Sequence, residues 1–154
     1  MLYLAQCFHL LALAVWLGET VFLSFVVAPT LFSAFPQEAG RVMSALFPWY
    51  YRIGYACGAI LLVSSLAFWR AGTGGLRGAI TIGVAALMLA AVLYAGIVIQ
   101  PRARALRFEV HGATPPATAK VEFDRLHRRS VQLNSVVLLG GLAIAALTAA
   151  KLKA

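Results

Sequence analysis

Charged residues are scarce in this chain of 154 residues, since only 12% are Asp, Glu, Lys or Arg and only five are acidic. Soluble domains carry about 25% charged residues. The composition therefore excludes an ordinary water-soluble enzyme and a disordered tail. The 62% hydrophobic content instead indicates an integral membrane protein.

Cysteine is scarce too, with Cys7 and Cys57 the two in the chain. Both fall within apolar segments and lack CxxC or Cys/His ligand spacing, so we expect buried thiols rather than a disulfide or a zinc site. The sequence has no nucleophile triad, HExxH, P-loop or Rossmann glycine pattern. An enzyme that acts on a soluble substrate is therefore not expected.

Basic residues outnumber acidic ones, 13 against 5, and give a formal net charge of +8. Most lie between apolar runs, where Lys and Arg orient helices and meet anionic lipid headgroups. No basic stripe with interleaved aromatic residues lies on a soluble face, so membrane lipids rather than nucleic acid are the expected partners.

Four apolar runs are long enough to cross a hydrocarbon core of ~30 Å, which needs about 20 residues. The predicted fold is an all-α, integral membrane four-helix bundle that forms a single domain. We predict spans at about residues 2–28, 48–69, 78–99 and 120–150, and a short interfacial helix at about 33–46 between spans one and two. Pro29 and Pro101 are expected to end spans one and three. The glycine-rich segment 70–77 is expected to form a tight hairpin.

The loops predict an orientation. Loops one and three, with the helix ends beside them, carry more Lys and Arg than the other side of the bundle. The positive-inside rule places loops one and three in the cytoplasm of an inner (plasma) membrane and both termini outside.

Polar residues converge at the loop one/three end, because the alternating direction of the helices brings one end of each span to that face. Ionisable groups are costly in a membrane and normally face the bundle interior, where they pair or mark a functional path. A helix turns by about 100° per residue, so His9, Trp16 and Glu19 lie on one side of span one. His127, Ser130 and Asn134 lie on one side of span four for the same reason. The predicted pocket comprises Trp16, Glu19, Arg52, His127, Ser130 and Asn134, with His9, Tyr51, Gln100 and Arg102 as secondary candidates.

Glu19 has two interpretations. It forms an ion pair with Arg52 or Arg128 that locks the bundle, or it moves protons, cations or a cationic substrate. Ser130 and Asn134 likewise either tie helices together or contact a solute.

His9 or His127 could hold haem or a metal ion. A single bis-histidine site is not expected, because a rise of ~1.5 Å per residue separates the two histidines by ~20 Å or more. The alternative to a haem or metal ligand is a structural histidine that is hydrogen-bonded to Ser, Asn or backbone.

The Gly54–Gly58 pair forms a GxxxG pattern, which lets another helix approach closely. The partner helix is either in the same bundle or in a second copy of the chain.

Four segments in order carry a family resemblance: His9 with Trp16-Leu-Gly18, residues 46–50 (LFPWY), Pro101-Arg102, and residues 123–134 (FDRLHRRSVQLN). Together they resemble the transmembrane protein 205-like family, and the short third loop resembles a bacterial member. The resemblance implies a small four-helix membrane protein that exports small solutes or metal complexes and contributes to metal resistance.

A weaker similarity, carried by His9 and Trp16-Leu-Gly18, is to copper-resistance D-like proteins and to haem-associated protoporphyrinogen oxidases of the HemJ type. It implies a haem- or metal-binding membrane oxidoreductase. The sequence departs from the HemJ pattern, because no lysine within a span could partner the histidine of helix one.

The expected function is the binding or transport of a small solute, ion or metal complex in the intramembrane polar pocket, with a homodimer completing a transport path. The alternatives are the haem or metal oxidoreductase and a membrane scaffold or lipid-binding subunit that transports nothing.

Overall fold

The computed structural model describes residues 2–72, 75–110 and 117–150, and it confirms an all-α four-helix bundle. Span one consists of α1 (Leu2–Phe22), a π-helical segment (Leu23–Val27) and α2 (Ala28–Ala34). Span two is α3 (Pro36–Arg70). Span three consists of α4 (Gly75–Tyr94), a second π-helical segment (Ala95–Ile99) and α5 (Gln100–Val110), and span four is α6 (Ala117–Ala149).

All four spans are long and apolar enough to cross a membrane, over Leu2–Ala34, Pro36–Arg70, Gly75–Arg107 and Thr118–Ala149. The chain is therefore a multi-pass membrane protein. Much of the apolar surface points outward, as expected where lipid rather than water is the solvent. Cys7 is part of that exposed surface, so the expectation of two buried thiols is wrong for Cys7 and confirmed for Cys57.

Span boundaries differ from the prediction at Pro29 and Pro101. Pro29 and Pro101 each lie inside a continuous helical rod, and a π-helical segment ends two residues before each of them. Proline has no N–H and its ring clashes with the carbonyl four residues earlier. A π turn, with its i→i+5 bonds, opens the backbone at that place. The rods therefore continue through both prolines, and span three reaches Val110 instead of ending at Ile99.

The predicted interfacial segment is helical, but it is the first part of α3 rather than a separate helix. Pro48, expected in the first turn of span two, lies well inside α3. Its missing N–H leaves the carbonyl of Ser44 without a helical donor. Arg104 of α5 supplies one, since its Nη2 donates to that oxygen at 3.1 Å. The hydrogen bond that Pro48 cannot make is thus replaced by one from Arg104, which is 60 residues from Ser44 in sequence.

Helix α3 extends beyond the membrane core at its N-terminal end. At ~1.5 Å per residue its 35 residues reach about 50 Å, against a core of ~30 Å. Side chains of α5 reach this extension, and α5 itself packs against α6. Arg107 donates to the carbonyl of Gly40 and to the Ser44 hydroxyl, and its guanidinium lies 5.7 Å from the centre of the Phe123 ring.

The core takes a fully buried side chain from each span: Trp16, Leu61, Met88 and Ile144. Gly54 and Gly58 face Trp16 and α4 so closely that a methyl on Gly58 would lie 2.8 Å from Leu89 Cδ1. The GxxxG pattern therefore packs inside the bundle. The turn between α3 and α4 requires glycine, because Gly72 and Gly75 have φ of +74° and +49°.

Candidate functional site

A cavity of about 490 Å³ lies between the spans at the loop one/three half of the bundle and opens on the outer surface beside the exposed side chains of Phe25, Phe32 and Val131. We name it the central cavity. Most of its wall is apolar, with contributions from Phe25, Phe47 and Val137. Residues of all four spans contribute. Its polar wall consists of Ser24, Tyr50, Tyr51, His127, Ser130, Asn134 and Ser135.

A chain of hydrogen bonds crosses the polar wall. The Tyr50 hydroxyl donates to Asn134 Oδ1, and Asn134 Nδ2 donates to Ser24 Oγ at 2.8 Å. The amide of one residue of α6 therefore joins α3 to the π-helical segment of span one. Both ends of an amide are satisfied in this arrangement, which fixes its orientation.

A second polar group lies on α1 beside Tyr50. Among the described residues, Trp16 Nε1 and Glu19 Oε1 are buried and have no hydrogen-bond partner, whereas the Thr20 hydroxyl lies beside the Tyr50 hydroxyl and interacts with it. Trp16 is 1% exposed and Thr20 is fully buried. Leaving a buried polar group unpaired costs about 1–3 kcal/mol, so the two unpaired groups together require an explanation beyond packing.

Gly54 of α3 is the point at which this group converges. A methyl on Gly54 would lie 3.2 Å from Trp16 Nε1 and 3.8 Å from Glu19 Oε1. The indole offers a donor, the carboxylate an acceptor and the threonine hydroxyl either one. We refer to Trp16, Glu19, Thr20 and Gly54 as the Glu19 cluster. Its atoms are suited to hold a water molecule, a proton or a cation.

Glu19 forms no ion pair with Arg52 or Arg128 in the described structure, so that expectation is wrong. Arg52 is exposed and lies over the Trp49 ring at 5.1 Å, and Arg128 is exposed as well. The ion pairs of the described residues, Arg41–Glu38 and Arg125–Glu122, each lie within one turn of an exposed helix face. Glu19 therefore has no neighbouring cation there.

The predicted site residues do not all meet in one place. Tyr51, His127, Ser130 and Asn134 meet at the central cavity. Trp16 and Glu19 belong to the Glu19 cluster behind it. Gln100 lines a smaller cleft of about 50 Å³ that shares His127 and Ser130 with the cavity. Arg52 and Arg102 are exposed and line neither space.

Three site residues were not in the predicted pocket, although the sequence placed them at the correct end of the bundle. Thr20 and Ser24 continue the stripe of Trp16 at helical spacing, and that periodicity was a usable signal. Tyr50 is buried, and of the residues 49–51 only Trp49 faces outward.

His9 lies at the opposite half of the bundle, in a cavity of about 400 Å³ that we name the end cavity. Its Nδ1 is hydrogen-bonded to Ser64 Oγ at 2.8 Å, and its ring meets the edge of Phe68. The polar residues of the end cavity are Gln6, His9, Ser65, Arg77, Thr81 and Thr148.

Metal-binding geometry is not apparent in the described ranges, where no three His, Cys, Asp or Glu side chains group together. His9 and His127 line different cavities, which agrees with the separation expected from the sequence.

Comparison with known proteins gives one family match. A sequence profile described as "Domain of unknown function (DUF4149)" matches residues 11–112, which begin within α1 and extend two residues past the end of α5. The match covers Trp16, Glu19 and Tyr50, whereas His127, Ser130 and Asn134 lie beyond it. No curated protein and no solved structure matches the chain.

Proposed function

The chain belongs to the DUF4149 family, whose description states no activity, and we propose from the site that it binds a small, partly polar solute in the central cavity. The size of the cavity supports this proposal, since ligand sites usually enclose about 300–1,000 Å³. So does its composition, because an apolar wall with a few convergent polar groups is typical of small-molecule sites. The observation that carries the proposal is the Tyr50–Asn134–Ser24 chain, which presents oriented polar groups along one wall.

We further propose that binding serves transport of a small solute, ion or metal complex. The central cavity and the end cavity lie at opposite halves of the bundle, and fully buried Trp16, Leu61 and Met88 lie between them. A solute would pass only if these side chains separate. Glu19 follows Trp16 by one helical turn and provides the ionisable group of such a step. A homodimer would complete the path of a bundle this small.

The resemblance to the transmembrane protein 205-like family supports the same function and remains an expectation, as do a bacterial source and a role in metal resistance. The haem or metal oxidoreductase has less support. His9 is hydrogen-bonded to Ser64, and His127 lies in the other cavity. A scaffold without a path would have its polar residues closed by salt bridges, whereas Glu19 lacks one in the described structure.

Proteoliposomes test the proposal. We would measure proton and K⁺ flux with entrapped dyes, and uptake of a neutral platinum(II) complex by elemental analysis. We expect flux of at least one probe above that of empty liposomes, lost in Glu19→Gln and reduced in His127→Ala. Glu122→Gln, which removes an exposed carboxylate paired with Arg125, is the matched control and should retain full flux.

Two results would overturn transport. One is flux no greater than in empty vesicles for every probe, and the other is flux unchanged by both Glu19→Gln and His127→Ala. Binding is tested separately by thermal unfolding with the platinum complex. A rise in the unfolding midpoint that Asn134→Ala abolishes supports a solute site, and no rise at any concentration contradicts it.

The membrane and the orientation are part of the proposal. The basic residues of loops one and three favour the cytoplasm of an inner membrane for that side. In a variant without Cys7 and Cys57, we expect an impermeant maleimide to label Arg70→Cys on intact cells but Arg41→Cys only after permeabilisation. The reverse pattern would invert the topology.

A further inference from the structure

The end cavity is chemically distinct from the central cavity and does not depend on the proposed transport. Four helix ends form it: the start of α1, the end of α3, the start of α4 and the end of α6. Its apolar side is formed by Leu2, Leu10, Phe68 and Leu147. Leu2 and Leu10 are about half exposed, so the cavity opens on the outer surface of the bundle, where lipid lies.

A buried hydroxyl faces this cavity without a partner. Ser65 is 2% exposed, and its Oγ has no hydrogen bond. The hydroxyls of the two threonines in this cavity already have acceptors. Thr81 Oγ1 donates to the Arg77 carbonyl at 2.9 Å, and Thr148 Oγ1 donates to the Ile144 carbonyl at 2.8 Å. Ser65 therefore provides a donor that the protein itself does not use, and an occupant with an acceptor oxygen would satisfy it.

Positive charge dominates this end of the chain. Arg77 lines the cavity, Arg70 ends α3, and Lys151 and Lys153 follow α6 in sequence. The five acidic residues, at positions 19, 38, 109, 122 and 124, all belong to the other half of the bundle or to loop three. Within the part of the chain that the structure describes, the end cavity thus has a cation at its rim and no Asp or Glu side chain nearby to compensate it.

The start of α4 adds to the positive electrostatic potential at the end cavity. Arg77 and Gly78 lie in the first turn of a 20-residue helix, where backbone N–H groups lack carbonyl partners within the helix and the helix dipole is positive. Arg77, the Ser65 hydroxyl and this helix end all favour a negatively charged oxygen acceptor.

We infer that the end cavity binds an anionic membrane phospholipid, with its phosphate at Arg77 and Ser65 and its acyl chains along the apolar side. The cavity lies at the helix ends, where headgroups are found. Basic pockets between membrane helices bind anionic headgroups on the cytoplasmic side of membranes, and the same chemistry is inferred here for the leaflet opposite to loops one and three. A soluble anion would use the charge but leave the exposed apolar side uncovered.

Native mass spectrometry of the detergent-solubilised protein tests this inference. Phosphatidylglycerol and phosphatidylcholine with identical acyl chains differ in headgroup charge, and glycerol 3-phosphate carries the phosphate without the chains. We expect phosphatidylglycerol to be retained about fivefold more than phosphatidylcholine, because one basic residue near an anionic headgroup strengthens lipid binding by about this factor. Glycerol 3-phosphate should not displace it.

Variants locate the site. Arg77→Gln should remove the preference, and Ser65→Ala, a small change at a buried position, should weaken it while leaving the fold intact. Arg70→Gln is the matched control, because it removes a cation at the same end that does not line the cavity. Equal retention of the two lipids overturns the inference. So does equal loss in Arg77→Gln and Arg70→Gln, which indicates diffuse surface charge, or displacement by glycerol 3-phosphate, which indicates a site for free phosphate.

Discussion

The Tyr50 hydroxyl of α3 donates a hydrogen bond to the side-chain carbonyl of Asn134 in α6, across the polar wall of the central cavity. The same amide donates to Ser24, so one side chain connects spans one, two and four. The position of Asn134 therefore determines both the packing of this half of the bundle and the polarity of its cavity.

We expect Tyr50→Phe to lower the free energy of unfolding by roughly 0.6–1.7 kcal/mol, the range for hydrogen bonds between membrane helices. Asn134→Ala should cost more, because it removes both bonds. Reversible unfolding in mixed micelles measures these differences. Ser135→Ala is the control, since Ser135 bonds only to the Val131 carbonyl of its own helix. If Asn134→Ala costs no more than Ser135→Ala, the chain of hydrogen bonds contributes nothing to stability.

Glycines that allow close helix contact should not tolerate a methyl group. A Cβ on Gly58 would lie 2.8 Å from Leu89 Cδ1 and 3.0 Å from Trp16 Cη2, and one on Gly96 would overlap the Tyr55 hydroxyl. We expect Gly58→Ala and Gly96→Ala each to cost about 1–3 kcal/mol from overpacking. Gly18→Ala and Gly83→Ala, which meet nothing within 4 Å, should be neutral or stabilising. Equal thermal unfolding midpoints in all four variants would contradict the close packing.

Arg104 and Pro48 should be energetically coupled. Arg104→Ala removes the donor to the Ser44 carbonyl, and we expect a loss of about 1 kcal/mol. In a Pro48→Ala background the helix regains its own N–H donor, so the same substitution should cost much less. A double-mutant cycle measures the difference, with exposed Arg102→Ala as the control. A coupling energy of zero would show that Arg104 does not complete the helix at Pro48.

Trp16 should report on the interior of the bundle. The chain has three tryptophans, and Trp49 and Trp69 are 63% and 53% exposed, whereas Trp16 is 1% exposed. In a Trp49→Phe/Trp69→Phe variant we expect blue-shifted emission that acrylamide quenches poorly. The reciprocal variant, Trp16→Phe, should retain the more accessible emission. Efficient quenching of Trp16 would mean that solvent reaches the Glu19 cluster.

Composition and periodicity were sufficient for the fold, because bilayer thickness fixes how long an apolar helix must be. Helical phase also brought His127, Ser130 and Asn134 to one stripe, and the structure places them around one cavity. The helical periodicity of α3 also predicts which of its residues face inward. Tyr50, Gly54, Cys57, Leu61 and Ser64 follow inward spacings of four and three, and Arg52 is off that stripe, so its pairing with Glu19 was avoidable.

The other differences between prediction and structure arise where residues distant in sequence determine the local structure. Proline is a helix breaker when its neighbours in sequence are considered alone. At Pro48 the compensating group is Arg104, and no short window of sequence contains both. The end cavity was missed for a similar reason. Ser65, Arg77 and Thr148 are unremarkable singly, and they line a cavity only because four helix ends meet.

The two π-helical segments affect how relatives of this chain should be aligned. Each inserts an extra residue into a turn just before Pro29 or Pro101. Family members that lack one of these prolines are expected to be one residue shorter there, inside a membrane helix. An alignment that forbids gaps within spans would shift every later position of that rod by one residue and assign Gln100 and Arg104 to the wrong helix face.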